Sequence, residues 1–394
     1  MVQYKPMKNT FITCLLIIVA LLLCVPIFVP YQIDKQMNTV THSYPYKVSN
    51  QAQELYQSLD FIGDLHSDVL LWKRDILQEH DYGHEDIPRM IKANMALQAF
   101  TLVNKSPADL NYDKNTDESD QITSLFMAQG RPLKSWFSLT ERVIYQSNDL
   151  YQYSQNSKGQ LSVITSQTEL QTYLTKRQTD KSITAGFLGI EGAQALEGKL
   201  ESIDIVFNAG IRMIGLTHFF DNELGASAHG VSHAGITKFG RQAIERMEQL
   251  NILIDLSHAS PKLIDDVLTI SKRPLIVSHS GVKGTCDNVR NLSDEHLKKI
   301  AATGGLIGIA MFDQAVCGNN VTDIARAIYY TANLIGVEHV ALGSDFDGAI
   351  KAIIEVRGLP LIVEELIKLG MSNHDISLVM GVNMKIFLLK NLPK

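Results

Sequence analysis

Eight short apolar runs, rich in β-branched residues, constrain this 394-residue chain more than any other feature. They are Asp60–His66, Met95–Val103, Thr184–Glu191, Met213–His218, Ile252–His258, Pro274–His279, Leu306–Phe312 and His339–Asp345, and helical patterns follow most of them. Near-continuous apolar strands are what a parallel sheet covered on both faces requires. Eight strand-then-helix units is the number that closes a (β/α)8 barrel of the TIM type. Residues 56–394 therefore read as one α/β barrel, although length alone would suggest two or three domains. A composition of 45% hydrophobic residues with 26 Gly and 11 Pro permits so large a core and excludes disorder or a disulfide-dense miniprotein.

The helix signals between the runs are local. Ser166-x-x-Glu169 before Leu170 is a capping-box pattern, and Gly240–Leu250 places Ile244, Met247 and Leu250 at helical spacing. The stretch from Ser106 to Ser166, with its Asn/Asp-rich segment, predicts an elaborated loop plus helix after the second strand.

Residues 11–30 (FITCLLIIVALLLCVPIFVP) carry no charge, and as a helix they would span about 30 Å, the thickness of a bilayer core. Lys5 and Lys8 precede them. The pattern predicts a cytoplasmic N-terminus over 1–10, one transmembrane helix over 11–30 and a polar tether over 31–55 that ends in a short helix. The barrel would then sit on the outer (periplasmic or extracellular) side of the cytoplasmic membrane. A cleaved signal or a lipid-modified Cys24 are the alternatives; the run lacks an A-x-A-like site, and Leu21-Leu22-Leu23 lacks small residues. The formal charge of −6, from 36 basic and 42 acidic residues with no long basic run, argues against a nucleic-acid partner. Outside the apolar run the cysteines are Cys286 and Cys317. In an oxidising compartment one disulfide fits them, and so do two buried thiols.

Four of the 12 histidines, His66, His218, His258 and His279, and three carboxylates, Asp68, Glu191 and Asp345, fall at the ends of six of the eight runs. A barrel gathers its C-terminal strand ends on one rim, so these residues would meet there. His66 and Asp68 are two apart and on an extended segment would share a face. Imidazole with carboxylate suits zinc or another divalent first-row metal. Glu191, between glycines in GIEG, could bridge two cations with its two oxygens, and His258 and His279 would supply the second ion. Two such ions about 3.5–4 Å apart can hold a bridging hydroxide and polarise a carbonyl. Asp255, three residues before His258, reads as a buried hydrogen-bonded partner.

The stretches DLHSD, GIEG, LTHFFDN, LIDLSHAS, VSHSG followed by NVRN, GSDFDG and GVNMKIF, in this order, resemble the membrane (renal-type) dipeptidase family of the metal-dependent amidohydrolases, over about Leu55 to Leu392. The resemblance implies two zinc ions per chain: His66 and Asp68 on one, His258 and His279 on the other, and Glu191 bridging. It implies that His218 contacts the substrate carbonyl, with a third ligand or a packed histidine as the other readings. It also implies that Asp345 carries the proton, with Asp347 the weaker candidate, and that Arg290 pairs with the substrate's C-terminal carboxylate. It favours a Cys286–Cys317 disulfide. The chain departs from many relatives at Ala310, where they have Asn, and lacks a tyrosine in Asp313–Val316. The expected function is a membrane-anchored two-zinc dipeptidase acting on free dipeptides. A hydrolase of a non-peptide amide, lactam or lactone and a non-catalytic binding protein are the alternatives, and a homodimer is left open.

Overall fold

Parallel pairing runs unbroken around eight strands: β1 (Ile62–Ser67), β2 (Met95–Val103), β3 (Thr184–Glu191), β4 (Ile211–Gly215), β5 (Leu253–Asp255), β6 (Ile276–Ser280), β7 (Leu306–Ile309) and β8 (Val340–Leu342). Each pairs with its neighbours in sequence, and β8 returns to β1 through Leu342 and Asp64. The expected (β/α)8 barrel is thus closed, without an edge. A ninth strand, Leu161–Val163, pairs with the first residues of β3, below its pairing with β4.

The computed structural model describes residues 28–394. Residues 1–27, which include most of the expected transmembrane helix and Cys24, lie outside the described residues. Among the described residues no helix is long and apolar enough to cross a membrane.

The barrel follows from period-2 alternation. Leu65, Leu97, Phe187, Met213, Leu253, Ile276, Leu306 and Ala341, one from each strand, belong to one buried cluster. The C-terminal helix Asn383–Asn391 adds Met384, Phe387 and Leu388 to it. Two residues further along β4 to β8 come Gly215, Asp255, Ser278, Gly308 and Gly343, on the same face by strand geometry. This layer is small or polar. A side chain at Gly308 or Gly343 would collide with the Ser278 carbonyl oxygen, so glycine lets β6, β7 and β8 close together here.

Several of the outer helices start on serines that satisfy their free N–H groups. Ser138, Ser166, Ser260 and Ser293 each accept from the N–H three residues on. Glu169 turns back to the Thr165 N–H rather than to Ser166, so the expected capping box is half formed. The helix expected over Gly240–Leu250 spans Lys238–Gln249 and buries Ile244 and Met247.

The segment read as a tether is docked. Residues 28–37 are helical, Thr39–Val40 pairs in parallel with Lys351–Ala352, and a helix covers Asn50–Ser58. Its polarity misled because Asp34 and Asn38 are buried polar groups with partners across the barrel rim.

Candidate active site

Four of the expected cluster residues lie beyond the strands rather than on them, Asp68 by one position after β1. His218, His258 and Asp345 each follow the last strand residue by three positions. His258 (φ 62°) and Asp345 (φ 64°) adopt the left-handed backbone conformation, which costs a non-glycine residue about 1–3 kcal/mol and recurs at functional sites. Asp68 also leaves the extended conformation (φ −101°, ψ 23°), so its convergence with His66 comes from a turn and not from alternation. Pairing irregularities between Asp64 and Ser67 in β1 and between Val277 and Ser280 in β6 straddle His66 and His279, where bulges re-aim side chains.

Glu191, the last residue of β3, stands at the centre. Its Oε1 lies 3.4 Å from His66 Nε2, 3.2 Å from His258 Nε2 and 3.5 Å from His279 Nε2. Its Oε2 lies 3.2 Å from His218 Nε2. Asp68 Oδ2 and Asp345 Oδ1 approach His66 Nε2 to 3.5 and 3.8 Å. All seven side chains are buried, so the structure brings the sequence-predicted cluster together whole. Among the described residues three overlapping sets could hold a cation: His66, Glu191 and His279; Glu191, His218 and His258; His66, Asp68 and Asp345.

The donor set fits divalent first-row cations such as zinc. A hydrogen-bond chain beneath it orients the rings. Ser278 Oγ donates to Asp255 Oδ2 (2.6 Å) and so accepts from His66 Nδ1 (2.9 Å) and His279 Nδ1 (3.0 Å). Both rings then present their Nε2 atoms toward Glu191, and His66 Nε2 is buried without a hydrogen-bond partner. Thr101 Oγ1 donates to Asp68 Oδ1 at 2.6 Å. Asp255 fills its expected supporting role. Ser278 and Thr101 escaped sequence reasoning, although each sits two residues beyond an inward apolar residue.

Charge in this apolar setting points the same way. Burial works against a charged His66, but Asp68 and Glu191 outweigh it and raise its pKa well above the ordinary value, a proton standing where a cation would. Burial likewise opposes the Glu191 carboxylate, yet the surrounding imidazoles, His218 first, hold it well below the usual range. Burial and then Arg290 push His258 down, while burial and then His66 push His279 down, so these two rings are neutral ligand candidates. Burial raises Asp345 well above the carboxylate range, aided by Asp68 and Glu191 against the pull of His66. Asp345 is therefore poised to hold a proton.

The cluster floors a cavity of about 780 Å³ lined by Asp68, Glu191, His218, His258, Arg290 and Asp345, with Tyr112, Phe219, Phe312, Ile33 and Met37 above. Arg290 is buried, donates to the His279 carbonyl (2.6 Å) and Ser280 Oγ (3.2 Å) and has no carboxylate within ion-pair distance among the described residues. Tyr112 enters from the loop after β2, which is bonded to His229 through Asn115. Burial pushes the Tyr112 phenol up to about 12. It is a tyrosine at the cavity that the Asp313–Val316 segment does not supply. His229 is packed in a buried position against Phe219 and His258, and burial lowers it to about 3. Asp347 faces away from the cluster, bound by Arg74 and by the His84 N–H. Cys286 and Cys317 are disulfide-bonded, with Cα atoms 5.2 Å apart, and Arg290 lies between them in sequence.

Residues 50–388 match the family model described as Membrane dipeptidase (Peptidase family M19). Dipeptidase 3 of Mus musculus is 26% identical over 316 residues, 77% of this chain and 62% of that protein. Dipeptidase verJ of Clonostachys rogersoniana is 32% identical over 206 residues, 50% of this chain and 53% of that one. The chain thus spans somewhat over half the length of these curated relatives. Among solved structures, the probable dipeptidase PvdM from Pseudomonas aeruginosa superposes with TM-score 0.71 at 19% identity, covering 88% of this chain and all of that one. A metallo peptidase from Rhodobacter sphaeroides, liganded with a phosphinate mimic of L-Ala-D-Ala, superposes with TM-score 0.67 at 22% identity, over 84% and 99%. At these identities the structures show a common fold.

Proposed function

The chain belongs to the membrane dipeptidase family, and on that premise we propose that it hydrolyses the peptide bond of free dipeptides with two zinc ions. His66, Asp68 and Glu191 would hold one ion and Glu191, His258 and His279 the other. The observation that carries the reading is Glu191, whose single oxygen Oε1 meets three imidazole Nε2 atoms at 3.2–3.5 Å. Two bound cations supply Lewis-acid polarisation of the carbonyl and a water acidic enough to attack near neutral pH.

The chain's own residues do the rest. Arg290, a buried cation with spare donors, takes the substrate's C-terminal carboxylate, for which a planar guanidinium is well shaped. His218 steadies the developing oxyanion. Asp345 accepts the proton of the attacking water and passes it to the amide nitrogen as the C–N bond breaks, releasing two amino acids. The uncharged run 11–30 supports a membrane anchor with the barrel on the outer side.

The test is turnover of a dipeptide panel, with D- and L-residues at the C-terminal position, by the full chain in detergent, before and after zinc is stripped and restored. Zinc-dependent release of both amino acids is expected. Turnover of N-acyl amino acids or lactones alone would replace the reading with the related amide or lactone hydrolase. Less than one equivalent of bound zinc would favour a binding protein.

A further inference from the structure

The family match begins at residue 50, yet residues 33–40 reach the reaction centre. The loop that presents Asp345 cannot hold its own shape, since Asp345, Asp347 and Ala349 are all left-handed (φ 64°, 58° and 58°). Three such residues are kept only where the surroundings over-determine them. Inside the barrel, Asp64 fixes Ser344 through its N–H and its hydroxyl, both at 2.7 Å.

The other anchor comes from outside the matched region. Arg74 lies between Asp34 and Asp347, with Nη2 2.7 Å from Asp34 Oδ1 and 2.8 Å from Asp347 Oδ1. Asn38 donates to Asp34 (2.8 Å) and accepts the Ala349 N–H (3.0 Å). His84 accepts the Asp347 N–H at 2.7 Å, and its other nitrogen meets the Thr39 carbonyl at 2.8 Å. Asp34, Asn38, Arg74, His84 and Asp347 are all buried. The same segment carries Ile33 and Met37 into the cavity wall beside Leu71, Trp72, Ile122 and Leu125. Those residues follow β1 and β2, whereas Arg290 follows β6, diametrically opposite β2 in the ring of eight.

We propose that residues 33–40 are a working part of the active site: Asp34 and Asn38 are positioning residues for Asp345, and Ile33 and Met37 set a preference for a bulky apolar N-terminal side chain. The second half rests on the dipeptidase reading: a carboxylate held at Arg290 sends the amino-terminal residue across the cavity to the apolar wall.

Two variants of the full chain test this. Asp34→Asn with Asn38→Ala should lower kcat at least tenfold on every dipeptide and leave KM within about twofold. Bound zinc should not change, and amide hydrogen exchange should quicken in 344–352 but not in β3 or β6. Ile33→Ser with Met37→Ser should raise KM several-fold for Leu-Gly, leave it unchanged for Gly-Leu and spare kcat. Unchanged exchange in 344–352 would overturn the positioning role. So would a fall in kcat accompanied by zinc loss or faster exchange throughout, which a merely structural role produces. Equal KM effects on both peptides would overturn the specificity role. A wild-type chain that hydrolyses no dipeptide would refute the dipeptidase reading and the specificity role with it, while the exchange experiment would still decide the positioning role.

Discussion

Replacing Asp345 by asparagine keeps the shape of the side chain and removes its proton. The carboxyl is buried, with Oδ1 3.8 Å from His66 Nε2, and burial together with Asp68 and Glu191 holds its pKa well above the ordinary range. A positioned general acid and base contributes about 10²–10⁴-fold, or roughly 3–5 kcal/mol of barrier at about 1.4 kcal/mol per decade. Asp345→Asn should therefore lose that much kcat while binding zinc as wild type does. Stability should move the other way. A carboxyl raised in the folded state favours folding at low pH and loses that contribution as pH rises from its unfolded value, about 3.9, through its folded one. Asparagine has no such loss. The metal-free variant should thus melt at or above the wild-type temperature near pH 7, with the gap widening as pH rises from about 4. The assay pairs steady-state kinetics and zinc analysis with thermal melts of the stripped protein from pH 4 to 8. Wild-type kcat would refute the proton-carrying role, and a variant that fails to bind zinc would show Asp345 to be a ligand.

Arg290→Ala should raise KM for free dipeptides by about 10–100-fold, as expected for loss of a charge-assisted bond of roughly 1.5–3 kcal/mol; C-terminally amidated dipeptides, measured in parallel, should show little change. Ser278→Ala removes the hydroxyl that links His66 and His279 to Asp255 and should weaken zinc about 10–100-fold in chelator competition. Replacing Cys286 and Cys317 by serine opens a loop of sequence separation 31 and should cost about 3–4 kcal/mol in denaturant unfolding by the chain-entropy relation. Asp149 is held up at about 6, chiefly by burial and against Arg131. Its contribution should fade as pH climbs from about 4 through 6, so Asp149→Asn should flatten that part of the melting-temperature profile.

What was legible in the sequence was whatever repeats locally. The second and third runs coincide with β2 and β3 residue for residue, because long apolar runs that stop at Asn94 and Asn104 around β2 and at Gly192 after β3 carry their own boundaries. Glu191 was found for the same reason. The fourth, fifth, seventh and eighth runs overshoot their strands by three residues. Apolar character continues through Leu216, Leu256 and Gly343 while the backbone has already turned, and no pattern in the sequence announces a left-handed His258 or Asp345. Ser278 carries no signal in the sequence, because a serine in a strand means little until its neighbours on other strands are known.

Periodicity and strand-end chemistry are written in consecutive residues, and they suffice for the barrel, the rim on which its polar residues gather and the identity of the cluster. That the polar stretch after residue 30 belongs to that rim follows from long-range packing alone. Asp34 reads as a solvated acid among polar neighbours, yet it is buried with Arg74 opposite Asp347, more than three hundred residues away. Which buried charges neutralise one another depends on distances across the closed barrel, and those exist only once it has closed.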